Sequence, residues 1–363
     1  MEFHKEISSR IAQGKEELEY SIKQLLYQHF PEWFELLDFR STRTFQEPLI
    51  YCLFNFSPDI IQIPQVLFGY VPKYSRPRKI RVNSDENGII YLPNYAYLET
   101  LRNRQEFDLI YDADSDKVLL LQNLFLIPFK RNGIDYLPDI DIEVVKYNAI
   151  SFSHFFEERG RTIDFKVKDC YVLHKTRLLN AFLVVKENCP QLFEMINDVV
   201  RKILIFSAFS KKSFVSIRAN GCVFLNIENH QSEAHLTEDI VYQCAQIIQY
   251  YVLWNKDQLF EVNVNTPLNE FTKIHSDKRS VMDAFCSLLP NLLTSIFSKK
   301  CLENSLFNGD RDFTKRHNSR MFKLKTDVSY FDSLPVFTDI GRSLFEVFKH
   351  SSIQILNSPL GQR

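Results

Sequence analysis

The spacing of hydrophobic residues changes along this chain, and that change constrains the fold more than any other feature. From about residue 48 to 150 the apolar residues gather in short β-rich runs: Leu49–Phe56, Val66–Val71, Lys79–Val82, Ile89–Leu92, Leu109–Tyr111 and Val118–Leu121. Turn-forming stretches such as Asn83-Ser84-Asp85-Glu86-Asn87-Gly88 and Asp112-Ala113-Asp114-Ser115-Asp116 separate them. Another run, Ile140–Val145, follows Pro138-Asp139. After about residue 175 the apolar residues recur at helical spacing, first at Leu178, Leu179 and Phe182, then at Leu192, Met195, Ile196, Val199 and Ile203 behind Pro190. The expected fold class is therefore α+β, with a β-rich N-terminal half and a mainly α-helical C-terminal half.

The N-terminal residues read as helix, because Leu18, Ile22, Leu25 and Leu26 lie on one face. Pro31 opens a short second helix through Trp33, Phe34 and Leu37. The expected division is residues 1–45 as N-terminal helices, 46–174 as a β-rich domain and 175–363 as a mainly helical domain. Phe214–Ile217 and Cys222–Ile227 flank Asn220-Gly221, a strong hairpin signal. Thr237 is the expected cap of the helix that follows, with Glu238 and Asp239 in its first turn. A later helix should start near Ser276 and kink at Pro290, and a last one should run from Thr338 to about His350.

Composition narrows the function classes. The 32 Phe and 16 Tyr make any core aromatic, and a formal net charge of -1 provides no field that would draw in nucleic acid or a membrane surface. No GxGxxG and no phosphate-cradling Gly-Lys-Ser/Thr motif is present. The cysteines (Cys52, Cys170, Cys189, Cys222, Cys244, Cys286 and Cys301) are odd in number and never form a CxxC pair. They read as reduced thiols of an intracellular protein. With no apolar signal region at Met1–Glu6, the expected location is cytoplasmic.

The helix after residue 236 draws the functional argument. Ile240, Val241, Cys244, Ile247, Ile248 and Tyr251 form its apolar stripe, and Tyr242, Gln246 and Gln249 project from the opposite side. Its surroundings give residues 175–350 a resemblance to the His-Glu-x-x-His peptide-maturation proteins found beside genes for ribosomally made, modified peptides. Some of these look like iron- and 2-oxoglutarate-dependent peptide β-hydroxylases. The shared order is Pro190-Gln191-Leu192, the hairpin from Ser213 to Asn226, Leu236-Thr237-Glu238-Asp239, then Asp277-Lys278-Arg279 and Ile340-Gly341-Arg342-Ser343-Leu344. Tyr242 and Gln246 stand where the two histidines would be, and Gln243 where the glutamate would be.

Two imidazoles four residues apart can share a divalent metal, whereas neutral amides and an un-ionised phenol bind one poorly. The resemblance therefore implies a scaffold that lost its chemistry: a non-catalytic peptide- or partner-binding protein with no cofactor. Its expected contacts are Tyr242, Gln243, Gln246 and Gln249, with Gln243 and Gln246 accessible from a cleft. Its expected partner is a peptide substrate or partner enzyme. The competing reading of the polar row is a face turned to solvent. The rival function is a divergent peptide-modifying enzyme, with iron and 2-oxoglutarate or as a metallohydrolase, using residues outside the motif. His230, Glu233, His235 and Cys286 are its weak metal candidates.

Other constellations have bland readings beside the sharp ones. Asp112, Asp114 and Asp116 begin like a Ca²⁺ loop, but Lys117 occupies the glycine position, so an acidic hairpin turn is expected. Lys73, Arg76, Arg78, Lys79 and Arg81 read as a solvated strand edge, with docking of an acidic partner as the alternative. Arg311, Lys315, Arg316, His317, Arg320, Lys323 and Lys325 read as a mobile surface loop. Asp139, Asp141 and Glu143 alternate with apolar residues, so on a strand they would share one exposed acidic face.

Overall fold

A computed structural model describes residues 2–55, 62–147, 150–158, 161–163, 165–228, 231–272 and 274–357. The fold is α+β, with sheets in the N-terminal half and helices dominating the C-terminal half. The chain opens with α1 (Glu2–His29), α2 (Pro31–Phe34) and α3 (Thr42–Phe45). Leu49–Phe56 and Val66–Val71, expected as strands, are instead α4 (Pro48–Asn55) and α5 (Gln62–Leu67), the latter continuing into a 3-10 turn at Phe68–Tyr70. Phe56 lies outside the described residues. Pro48 through Leu53 are all buried. A helix buried all round shows no polar face, so its apolar run looks like a buried strand.

Strands follow: β1 (Lys79–Asn83), β2 (Ile89–Leu92), β3 (Ala96–Glu99), β4 (Glu106–Asp112), β5 (Lys117–Gln122), β6 (Phe125–Ile127), β7 (Lys130–Asn132) and β8 (Glu143–Val145). Asp112 pairs with Lys117 across the β4–β5 hairpin, so the acidic run is the turn expected of it. β1 is an edge strand, and its exposed Lys79 and Arg81 pair with Asp108 and Glu106. The acidic face expected at Ile140–Val145 does not form. Asp139 has φ 61 in the left-handed region, and only Glu143–Val145 is strand. Glu143 is buried while Asp139 and Asp141 are exposed.

Then come α6 (Ile150–Ser153), β9 (Glu157–Glu158), β10 (Arg161–Thr162), α7 (Lys168–Asn188), α8 (Pro190–Val199), β11 (Lys202–Phe206), β12 (Phe214–Val215) and β13 (Cys222–Asn226). Ile203, expected on the α8 face, belongs to β11. The Asn-Gly pair ends a longer connection: β12 and β13 are antiparallel, but a 3-10 turn at Ile217–Ala219 intervenes. The chain closes with α9 (Glu233–Val252), α10 (Asn269–Thr272), α11 (Val281–Cys286), α12 (Leu288–Glu303), α13 (Arg311–Ser333) and α14 (Asp339–Asn357). The break expected at Pro290 falls at Ser287, between α11 and α12. Pro290 sits in the first turn of α12, where an amide proton has no helical partner in any case. Val281–Glu303 is apolar and long enough to cross a membrane by length and composition, and 72% of its most apolar window is buried.

The chain forms two compact units, Met1–Glu16 with Thr176–Val199 and Glu228–Arg363, and Glu17–Lys175 with Val200–Ile227. The second unit contains every described sheet: β1-β4-β5-β6, β2-β3-β7, β10-β9 and β12-β13-β11-β8. β11 runs parallel to both β8 and β13 and is buried at every position, as a central parallel strand is. That pairing returns Val200–Ile227 to the sheets, so this division interleaves along the sequence where the boundaries at 45 and 174 were linear. Its core is aromatic, with Phe214 stacked on Phe224 and Phe156 on Phe165. The first unit is helical: α12 packs along α9, α13 and α14, and Phe260, Phe285, Phe331, Phe337 and Phe345 cluster beside them.

Candidate functional site

Helix α9 starts at Ser232 rather than Thr237. Ser232 has extended backbone, and its hydroxyl accepts from the His235 amide at 3.2 Å. Thr237 lies inside the helix and donates its hydroxyl to the Glu233 carbonyl at 2.7 Å. The earlier start places Glu238 in the second turn rather than the first, and it is 2% exposed. A carboxylate so buried needs cationic partners.

Those partners come from α13, the segment expected to be a mobile loop. Asp310 caps it by accepting from the Asp312 and Phe313 amides, and Phe313, His317, Leu324, Val328 and Phe331 bury one face. The many intervening charges dilute this stripe, which explains the loop reading. Arg316 and Arg320, one turn apart, both donate to the Glu238 carboxylate. The Arg320 guanidinium also lies 5.6 Å from the centroid of the Tyr242 ring. Both guanidinium groups converge on this one carboxylate, and Nη2 of Arg316 is buried with no hydrogen-bond partner. His317 meets Ser298 Oγ at 2.7 Å through Nδ1. Its pKa is lowered by burial and by Arg320 and Lys299, with Glu238 opposing.

The polar row on α9 is more enclosed than expected. Ile240, Cys244 and Ile247 are fully buried, but so are Gln243 at 5% and Gln249 at 6% exposure. Gln243 is thus not open to a cleft; its side-chain amide donates to Asp239 at 3.1 Å. Cys286, which interacts with Gln249, has its thiol pushed up to about 11 by burial. Only Tyr242 and Gln246 reach the surface, half-buried. The phenol of Tyr242 is shifted upward by burial, with Arg320 opposing, so it is un-ionised at neutral pH.

The metal candidates do not converge. Glu233 and His235 are exposed and two residues apart on a helix, so they point to different sides. Glu233 instead accepts from Arg177 at 2.6 Å. His230 lies outside the described residues. Among the described residues no three His, Cys, Asp or Glu side chains are grouped as a metal would require. The motif positions do not fit iron either, since Gln243 and Gln246 offer neutral amides and Tyr242 a phenol, with no imidazole or carboxylate among them. The Asp277-x-Arg279 element is an ion-pair clamp: Arg279 donates to both oxygens of Asp277 and of Asp327.

Sequence reasoning missed a second polar centre, in the sheet-containing unit. Lys202 on β11, 2% exposed, donates to Glu143 at 2.5 Å and Tyr91 at 2.7 Å and lies 3.0 Å from Glu47. Tyr91 and Tyr97 donate to Glu143, and Tyr70 to Glu47. Burial disfavours the ammonium, but Glu143 and Glu47 more than offset this, and the Lys202 pKa lies above the ordinary lysine value. The available signal was a lysine opening an otherwise apolar run at Lys202–Phe206. No family model matches this sequence, and no curated protein matches it.

Proposed function

We propose that this chain is a non-catalytic binding protein that takes up a peptide or partner protein at the edge formed by Tyr242, Gln246, Arg316 and Arg320. The observation that carries the reading is the pairing at Glu238: two arginines converge on one buried carboxylate while 28% of the Arg316 and 17% of the Arg320 side chain stay exposed, with Arg320 over the Tyr242 ring. A carboxylate from an acidic side chain or chain terminus, docking on the partly exposed Arg316 and Arg320 side chains, would add charge-assisted hydrogen bonds there. Tyr242 adds apolar area and a hydroxyl, the combination that makes tyrosine frequent among binding hot spots. Gln246 adds an amide at the same edge. The likeness of layout to peptide-maturation scaffolds favours a peptide as the occupant, with the motif positions given over to contact.

The test is selection of peptides from a random displayed library, followed by calorimetry. Recovered peptides should carry an acidic group, and Tyr242→Ala should weaken them by at least about 1 kcal/mol. Unchanged affinity for Tyr242→Ala and Gln246→Ala alike would remove this edge from consideration. Near one equivalent of iron or zinc in purified protein, lost on mutating His230 and His235, would instead establish the enzyme reading.

A further inference from the structure

The sheet-containing unit has a cleft of about 420 Å³ lined by Glu86, Asn87, Glu99, Tyr147, Phe165 and Lys168 among others. Its carboxylates, Glu86, Glu99 and Asp169, outnumber its ammonium groups, Lys166 and Lys168. Two of the lining groups are held in place. Asn132 on β7 donates to Glu99 Oε2 at 3.2 Å, leaving Oε1 to face another partner. Tyr97 packs edge-on against the Tyr147 ring at 5.1 Å. Beside the lining residues Glu86 and Asn87, Asp85 is 4% exposed. Its Oδ1 accepts from the Asn87 and Ile89 amides, and its buried Oδ2 has no partner. Burial raises the Tyr147 phenol, and Glu99 and Asp85 add to the shift, so both carboxylates act on this ring.

A cation already sits here. Lys168 Nζ lies 3.4 Å from Glu99 Oε1 and 5.4 Å from the Tyr147 centroid. An aromatic face and a fixed carboxylate are what an ammonium ion needs. Yet the Lys168 side chain is 61% exposed and its distance to Glu99 is long. An exposed pair of this kind holds its cation weakly. We propose that this cleft is a binding site for a primary alkylammonium group, and that Lys168 occupies it as an internal stand-in which a ligand displaces. The site is independent of the Tyr242 edge, so either can fail alone.

The experiment uses the full chain, calorimetry, and two probes: N-acetyl-lysine methylamide and spermidine. Lys168→Ala and Lys168→Gln remove the competitor and should tighten binding of at least one probe about three- to tenfold over wild type. Glu99→Gln added to either variant should abolish the gain, with circular dichroism confirming that each folds. A response to the lysine amide alone assigns a peptide lysine as the source, and a response to spermidine alone assigns a free polyamine. If the Lys168 variants bind neither probe more tightly than wild type, or if the gain survives Glu99→Gln, the proposal is overturned.

Discussion

Tyr242 and Cys244 lie two positions apart on α9 and meet opposite surroundings. Cys244 is fully buried, so Cys244→Ala should cost about 1–2 kcal/mol through a small cavity, read by urea denaturation. Gln246 is half-buried with no structural burden evident, and Gln246→Ala should cost under about 0.5 kcal/mol. Comparable large losses at both would mean that the helix has no free edge. His317 makes a pH test. Its pKa is depressed in the folded state, so the unfolded chain takes up the proton first on acidification. The stability tied to the neutral imidazole is intact above the unfolded value near 6.5 and is lost as pH falls through the lower folded value. His317→Gln should therefore flatten the decline in melting temperature as pH falls below about 6.5. An unchanged slope would show that His317 titrates normally.

Helices and strands were legible where one face differs from the other, and misread where none does. β4 and β5 alternate buried and less buried residues; β5 extends the expected run by one residue at each end, and β4 extends it by three residues before and one after. α4 lacked that contrast because it is buried all round, and α13 because basic residues interrupt its apolar stripe. The site suffered from the same limit. The α9 stripe was read correctly, but Glu238, Arg316 and Arg320 meet only once α13 is a helix. Close approach between elements was also invisible. Gly341 on α14 has no Cβ, and one added there would lie 1.9 Å from the Leu259 carbonyl oxygen. Backbone cannot yield as a flexible side chain can, so Gly341→Ala should destabilise by at least about 1–3 kcal/mol in denaturant. A neutral result would mean that α14 shifts freely away from Leu259.

Across the sheet-containing unit, the Lys202 centre gathers residues distant in sequence. Glu47 precedes α4, Tyr91 and Tyr97 stand on β2 and β3, Glu143 on β8, and Lys202 on β11. A buried ion pair adds little over a well-packed apolar replacement, yet losing one member leaves the others charged and dry. Lys202→Met should therefore cost about 3–5 kcal/mol, because it strands two carboxylates that accept from three tyrosines. Adding Glu47→Gln and Glu143→Gln should recover a large part of that loss, since neutral amides need no counter-ion. The raised Lys202 pKa means that its contribution is complete through the neutral range and disappears only as pH climbs past the ordinary lysine value toward the folded one. Urea denaturation of the single and triple variants decides the matter. A Lys202→Met cost below about 1 kcal/mol, or a triple variant no more stable than the single one, would mean that water reaches the centre and that packing alone joins these strands.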